Sequence, residues 1–148
     1  MGMEKAIGGK IILSAVTKRD MRFLYDVLKK RGDNISISHR AIPSYKEHVE
    51  FWESNPYTRA DIIRYGFGAN SERAGYCYIS KQNEIAIHLL PRFQRLGIGP
   101  QVMSLLISLA GGWCKDVFAN INPRNKVARK MLIGLGFKHI QETYRYEP

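Results

Sequence analysis

The chain is poor in cysteine, and the two it has, Cys77 and Cys114, lie far apart in the sequence. Neither belongs to a C-x-x-C pair or lies near a histidine cluster, so we expect two reduced thiols in the core and no zinc site. The longest apolar run, residues 102–110, is too short to span a bilayer. The N-terminus lacks the charged and apolar regions of a signal peptide. These absences favour a cytoplasmic protein without a membrane partner.

Acidic residues are also scarce. The 148 residues include 13 Asp and Glu against 23 Lys and Arg, which gives a formal net charge of +10. This balance favours an anionic partner, whether nucleic acid, a phosphorylated cofactor or an acidic substrate, and charge alone does not choose among them. The sequence has no internal repeat or low-complexity segment, and its length suits a single domain over residues 1–148.

The common nucleotide-binding motifs are missing. Pro100 follows the second of two close glycines, so there is no P-loop Lys–Ser/Thr pair and no third glycine of a dinucleotide fold. Instead, Gln94-x-x-Gly97-x-Gly99 joins an apolar strand to a long apolar helix. Glycine permits positive φ and close approach of a ligand, and a helix N-terminus offers unpaired N–H groups and a partial positive charge. The pattern predicts a phosphate-binding cradle.

The remaining periodicity predicts an α/β arrangement with strands of period two and helices with one apolar stripe. His48 lies on the stripe of the second helix, where we expect it to pack in the core rather than act as a base. The predicted strands cover residues 11–16, 57–65, 74–80, 84–90, 117–121 and 137–146, and the predicted helices cover residues 17–31, 44–55, 100–110 and 122–135.

Two motifs together carry a family resemblance. The glycine element resembles the Q/R-x-x-G-x-G/A signature of the GNAT acyl-CoA N-acyltransferases. Downstream, Asn125-x-x-Ala128 followed by Gly136 and Phe137 is similar to the N-x-x-A…G-F element of the same family. The order of the predicted strands and helices also matches the GNAT layout, so the resemblance covers nearly the whole chain.

This resemblance implies the GNAT fold, a mixed and mainly antiparallel sheet of six to seven strands flanked by about four helices. The sheet is expected to splay between the fourth and fifth strands, residues 84–90 and 117–121. The resemblance further implies acetyl-CoA as cosubstrate, no metal, pyrophosphate held by the loop amides, and pantetheine paired with the backbone at residues 88–90. Pro100 has no N–H and removes one donor from the cradle. The implied cofactor-binding residues are Leu89, Leu90, Gln94, Arg95, Leu96, Gly97, Ile98, Gly99, Asn125 and Lys126.

Acetyl transfer to an amine needs a group that accepts a proton and benefits from an acid that protonates the leaving thiolate. In many members of the family that acid is a tyrosine of the last helix, and Leu132 occupies its place here. Glu84, His88 and Tyr144 are the remaining catalytic candidates. Glu84 and His88 are four residues apart on one strand, so their side chains share a face.

In this fold the first two helices and their connecting loop select the acceptor. His39 and Arg40 in the loop and Trp52 in the second helix are the predicted substrate-binding residues. A cationic lining favours an amine carried by a small anion, such as a nucleotide-linked amino sugar.

Three alternatives stay open. A protein N-terminal or lysine acetyltransferase would use the acidic residues Glu47, Glu50 and Glu53 of the second helix. An acyl-CoA sensor without activity is consistent with Leu132. A basic nucleic-acid-binding domain would use the charge, although no recognition motif supports it and nucleic acid is the less favoured partner. The sequence does not decide between a monomer and a homodimer.

Overall fold

A five-stranded sheet is the centre of the computed structural model, which describes residues 4–6, 10–31 and 41–148. Within those ranges the strands follow chain order, and each is antiparallel to its neighbours. The tight turn at residues 81–83 pairs Ser80 with Glu84 and thereby sets the register of the last hairpin. The strands are β1 (Glu4–Ala6), β2 (Lys10–Ala15), β3 (Tyr57–Tyr65), β4 (Glu72–Ser80) and β5 (Ile85–Leu89).

Four α-helices are present in the same ranges, and local sequence signals explain where they begin. At the second helix, the Ser44 hydroxyl accepts from the Glu47 N–H at 3.1 Å, and the Glu47 carboxylate accepts from the Ser44 N–H at 3.0 Å. This reciprocal pair is a capping box that satisfies two otherwise unpaired donors. The helices are α1 (Met21–Lys29), α2 (Tyr45–Glu53), α3 (Ile98–Leu109) and α4 (Lys126–Gly134).

The sheet is covered on both faces. On one face α1 and α2 enclose a small apolar cluster that includes Leu24, Ile62 and Tyr76. On the other face α3 and α4 cover a larger cluster centred on Leu106 and Ile85. Side chains alternate along β4 and β5, so residues that are neighbours in sequence face opposite clusters.

The structure confirms the GNAT-type α/β fold but has fewer strands than the six to seven expected. Residues 117–121 form a single parallel bridge, between Phe118 and Glu84, instead of a strand. Residues 137–146 form no strand in the described chain. Residues 117–121 meet β5 only at that bridge, and residues 137–146 pair with no other segment of the described chain, so neither completes a ladder.

The two cysteines are both free, but only one matches its expected position. Cys77 is buried in β4, whereas Cys114 is exposed. Gly111, with φ +78°, ends α3 in the left-handed region and turns the following residues outward. The prediction that Cys114 is a core thiol is therefore wrong. In the described ranges no helix is long and apolar enough to cross a membrane.

Candidate functional site

The free edge of β5 is the feature around which the candidate site is built. Leu90 donates its N–H to the Ala74 carbonyl at 2.8 Å, and Ser80 donates to the Glu84 carbonyl at 2.8 Å. Because hydrogen-bonded pairs alternate along an antiparallel ladder, even-numbered residues of β5 bond to β4. The backbone groups of Ile87 and Leu89 therefore point away from β4. Within the stretch 88–90, where pairing with pantetheine is expected, Leu89 is thus the residue whose backbone groups face the open side.

On that outer side, residues 117–121 approach β5 only at its start. Ile85 donates to the Phe118 carbonyl at 2.8 Å, and Phe118 donates to the Asn83 carbonyl at 3.0 Å. In the described chain these are the only backbone hydrogen bonds that join the two segments. The segments therefore form a wedge-shaped gap whose narrow end lies at Ile85 and whose wide end opens toward the start of α3, as the predicted splay requires.

Asn83 holds the narrow end of this gap together. It adopts a left-handed φ of +62°, and its side-chain amide donates to the Ala110 carbonyl at 2.9 Å and to the Asp116 carbonyl at 2.7 Å. One side chain thus ties the β4–β5 turn to the end of α3 and to the segment that follows it. The sequence analysis treated residues 81–83 only as a polar turn and missed this role.

The wide end of the gap leads to the loop before α3, where backbone donors are concentrated. None of the N–H groups of residues 95–99 donates to an acceptor in the described part of the chain. Arg95 has φ +65° and Gly97 has φ +79°, which turn these amides toward one side, and Gly97 forms the N-cap of α3. A Cβ built on Gly97 comes no closer than 3.9 Å to any neighbour, so the loop surface is open.

This loop fits a phosphate group. Successive free N–H groups at a helix N-terminus, supported by the helix dipole, form a binding site for an anion. The Gln94 side chain donates to the Leu89 carbonyl at 3.2 Å and so fixes the loop to the end of β5. Ile98 is 1% exposed and anchors the loop in the core, whereas Leu96 is exposed.

Gly99 and Asn125 both lie against α4. A Cβ on Gly99 would lie 3.5 Å from the Met131 sulfur, which is an ordinary van der Waals distance. Asn125 is the N-cap of α4, and its side-chain oxygen accepts from the Ala128 N–H at 3.1 Å. This contact accounts for the N-x-x-A spacing. Lys126 is exposed in the first turn of α4.

The face of β5 that turns toward α1 and α2 brings two of the predicted catalytic residues together. Glu84 and His88 share this face, and Ala86 between them is small enough to leave room above the strand. Opposite them on β4 lie Tyr78 and Tyr76. The Tyr76 ring stacks on the His88 imidazole with a centroid distance of 4.9 Å.

Burial among these rings lowers the pKa of His88 to about 4, and the positive charge of Arg31 lowers it further. Protonation would place a second cation in an apolar environment close to Arg31, which is unfavourable. His88 is therefore neutral at neutral pH and a weak base. Glu84, the other predicted catalytic residue on this face, lies at the narrow end of the gap, where it bridges to Phe118.

Tyr78 lies between Glu84 and the aromatic rings of α2. Its ring stacks on Tyr57 at a centroid distance of 4.0 Å. Burial, together with the negative charge of Glu84, raises the pKa of Tyr78 to about 12. The same causes, burial first, raise the pKa of Tyr57. Both tyrosines keep their protons at neutral pH and serve as hydrogen-bond donors rather than as acids.

The other predicted site residues fall into different environments. Trp52 joins the ring cluster, with its centroid 5.8 Å from Tyr76 and 5.2 Å from Tyr57. His39 and Arg40 lie outside the described residues. Tyr144 is 86% exposed in the C-terminal tail, where its hydroxyl donates to a Glu142 carboxylate oxygen at 2.8 Å.

Four residues of this face were not singled out from the sequence. They are Arg31, Tyr57, Tyr76 and Tyr78. The sequence contained a usable signal for Tyr76 and Tyr78. The turn at residues 81–83 fixes which residues of β4 and β5 are opposite each other, and counting outward from that turn puts both tyrosines on the face of Glu84 and His88. No comparable sequence rule locates Arg31, since its position depends on how α1 packs on the sheet.

Solved structures share this fold. A domain from Methanocaldococcus jannaschii aligns with a TM-score of 0.81 at 22% identity, covering 91% of this chain and 92% of that one. A phosphinothricin acetyltransferase from Sinorhizobium meliloti in complex with acetyl-CoA gives a TM-score of 0.69 at 19% identity, over 86% and 75% of the two chains. An N-acetyltransferase from Staphylococcus aureus gives 0.69 at 16% identity, over 88% and 85%.

The fold and its glycine-loop site define an acyl-CoA N-acyltransferase of the GNAT type. At the sequence level, the model of the FR47-like protein family matches residues 64–146, more than half of the chain, and the chain belongs to that family. No curated protein is significantly similar in sequence. In the described ranges no three His, Cys, Asp or Glu side chains are grouped so that they could hold a metal.

Proposed function

We propose that the protein transfers an acetyl group from acetyl-CoA to the primary amine of a small anionic metabolite, such as a nucleotide-linked amino sugar. The observation that carries the proposal is the wedge-shaped gap along β5. It runs from a loop of free N–H groups at its wide end, past His88, to Glu84 at its narrow end. We place the reaction in the cytoplasm, where thiols such as Cys77 and Cys114 remain reduced.

The cofactor follows this gap. Its pyrophosphate binds the N–H groups of residues 95–99, and its pantetheine pairs with the outward backbone of Ile87 and Leu89 in place of a missing strand. The thioester then lies near the narrow end, above Ala86. Basic side chains around the loop and the start of α4 add positive charge for the phosphates. They are Arg92, Arg95, Arg124, Lys126 and Arg129, of which Arg92 also pairs with Glu72.

The chemistry uses Glu84 as the base. The amine nitrogen attacks the thioester carbonyl, its proton passes to the Glu84 carboxylate through water, and the C–S bond breaks as the C–N bond is retained. Leu132 is 8% exposed and packs in the core, so it supplies no acid. Tyr78, with its pKa of about 12, is a weaker acid than a thiol. The thiolate therefore leaves as an anion and is protonated by solvent.

Arg31 supports an anionic acceptor. Its charge acts on both His88 and Tyr76, so the guanidinium lies near the His88 part of the face. Glu84 and His88 are four residues apart, about 13 Å along an extended strand. An acceptor that carries an amine at one end and a phosphate or carboxylate at the other matches this separation, and the rings between them can contact a planar or sugar group.

The test combines an acceptor panel with three variants. Amino-sugar nucleotides, free amino sugars and peptides are offered with acetyl-CoA, and released thiol is measured. We expect turnover of the anionic amines, a loss of about 10²-fold or more in kcat for Glu84→Gln, and a raised KM for the anionic acceptor in Arg31→Gln. Arg22→Gln is the matched control, because Arg22 lies over the Tyr45 ring on the exposed side of α1.

Each alternative predicts a different result. Turnover of peptides with none of the anionic amines would identify a protein acetyltransferase. Tight acetyl-CoA binding without turnover of any amine would indicate a sensor. Failure to bind acetyl-CoA together with strongly salt-dependent RNA binding would overturn the proposal in favour of a nucleic-acid-binding domain.

A further inference from the structure

The start of β3 contains one residue more than regular pairing with β4 allows. Arg59 lies opposite Ile79. The next pair toward the start of the strand is Tyr57 opposite Ser80, so two steps along β3 correspond to one step along β4. Thr58 is the extra residue, and its hydroxyl donates to the Ser80 carbonyl at 3.4 Å. Such a β-bulge interrupts the alternation of side chains and changes the direction of the residues beside it.

This bulge brings Tyr57 to the face of Glu84. Ile63 packs in the cluster under α3 and α4 and Ile62 in the cluster under α1 and α2, so regular alternation directs odd-numbered residues of β3 toward α3 and α4. Tyr57 is odd-numbered, yet its ring stacks on Tyr78, with an angle of 17° between the two planes. Tyr78 shares the face of Glu84. Without the extra residue, Tyr57 would face the opposite cluster.

Ser80 connects Tyr57 with Glu84 across the sheet. It lies opposite Tyr57 on one side, and on the other side its N–H donates to the Glu84 carbonyl at 2.8 Å. The three residues therefore form one row across β3, β4 and the residue before β5. Burial raises the pKa of both Tyr57 and Tyr78, and the negative charge of Glu84 contributes to each increase, in agreement with two hydroxyl groups near that carboxylate.

The ring of Tyr57 is also held from α2. Its centroid lies 5.2 Å from that of Trp52 and 5.9 Å from that of Phe51, both in edge-to-face geometry. A ring fixed on several sides has little freedom left to lose when a ligand binds beside it. Tyr57 therefore supports the Tyr78 ring in one orientation. Tyr78 in turn lies opposite Ala86, the small residue that leaves room above the strand.

From this geometry we propose that Tyr57 is a positioning residue for the acceptor and acts through Tyr78, a role that rests on the proposed function because it needs an amine bound beside Glu84. The acceptor lies above Ala86 with its amine at Glu84, and the Tyr78 hydroxyl donates to an oxygen of the acceptor close to that amine. The site then favours an amine with a hydroxyl or ether oxygen on a neighbouring carbon, as a 2-amino sugar has. The bulge at Thr58 makes Tyr57 available for this role.

Steady-state kinetics with acetyl-CoA and a nucleotide-linked 2-amino sugar as the probe test this role. Tyr57→Leu is expected to raise the KM for the amino sugar at least about tenfold, with kcat and the KM for acetyl-CoA within about twofold of wild type. Tyr57→Phe keeps the stacked ring and should retain wild-type kinetics. Tyr65→Leu is the matched control, because Tyr65 lies on the same strand but packs in the opposite cluster against Phe93, and the KM for the amino sugar should not change.

A double-mutant cycle separates positioning from a structural role. In a Tyr78→Phe background, which lacks the hydroxyl, Tyr57→Leu should give no further increase in the KM for the amino sugar. Free energies of unfolding are measured for the same four proteins, since a structural role alone would change stability and leave this KM unaltered.

Two kinds of failure are distinguishable. If the wild type turns over the amino sugar, an unchanged KM in Tyr57→Leu, or fully additive effects of the two substitutions, would overturn the positioning role alone. Absence of turnover of this probe and of the other anionic amines by the wild type would overturn the proposed function, and the positioning role with it.

Discussion

Replacing His88 with phenylalanine should change how stability depends on pH. The side chain stacks on Tyr76 and lies close to Arg31, and burial lowers its pKa in the folded protein to about 4 from the ordinary value of 6.5. Because the unfolded state binds a proton more readily, the folded state loses stability as the pH falls below 6.5. Above that pH neither state is protonated, and His88 has no effect on the pH dependence.

The magnitude follows from the two pKa values. A difference of one pKa unit corresponds to 1.36 kcal/mol, so protonation of the unfolded chain should cost about 2 kcal/mol at pH 5 and about 3 kcal/mol at pH 4. Phenylalanine keeps an aromatic ring over Tyr76 and removes the titrating nitrogen. The difference between the free energies of unfolding of wild type and His88→Phe should therefore shift by about 2 kcal/mol between pH 7 and pH 5.

The assay is urea unfolding followed by tryptophan fluorescence at a series of pH values. Tyr78→Phe is the control on the same face, because the pKa of Tyr78 is about 12 and its removal should give a difference that is constant from pH 7 to pH 5. A His88→Phe difference that is equally constant would refute the reasoning. It would mean that the imidazole is solvated and available as a base at neutral pH.

Two further predictions concern single positions in the fold. Asn125→Ala should lower the free energy of unfolding by about 1 kcal/mol. Asn125→Asp should lower it by less, since an aspartate side chain can still cap α4. Equal losses for the two variants in chemical denaturation would contradict the capping role. Gly75→Ala should destabilise the protein strongly, because a Cβ at this position would overlap the His88 carbonyl oxygen. Gly134→Ala is the comparison in α4: its Cβ would have no neighbouring atom within 4 Å, and the change should stabilise the protein by up to about 1 kcal/mol. Thermal melts of both variants compare them directly, and a tolerated Gly75→Ala would show that β4 and β5 are less closely paired.

Periodicity predicted the elements whose signals are local. α2 begins at the Ser44 capping box, and β3 to β5 alternate around short turns, so sequence alone indicates them. The same reasoning failed for residues 117–121 and 137–146. Their composition favours strands, but a strand forms only when an edge is available beside it, and no local pattern specifies that edge.

The candidate site, like the fold, could be predicted from the sequence only in part. The glycine loop was predictable because φ and free N–H groups are set by a few adjacent residues. The face of Glu84 and His88 was only half predictable, since Arg31 and Tyr57 reach it through helix packing and strand pairing across long stretches of sequence. Asn125 shows a further limit: the motif match implied a cofactor contact and gave no sign that the side-chain oxygen caps α4.

Binding of acetyl-CoA to the glycine loop is the central claim, and calorimetry on the purified protein tests it most directly. Gly97→Glu places bulk and negative charge on the open surface of the cradle, and Gly97→Ala is the control with the same positive-φ strain and no charge. We predict binding by the wild type, retained by the alanine variant and weakened at least about tenfold, or 1.4 kcal/mol, by glutamate. No binding by the wild type at near-millimolar acetyl-CoA, or equal binding by both variants, would contradict the account.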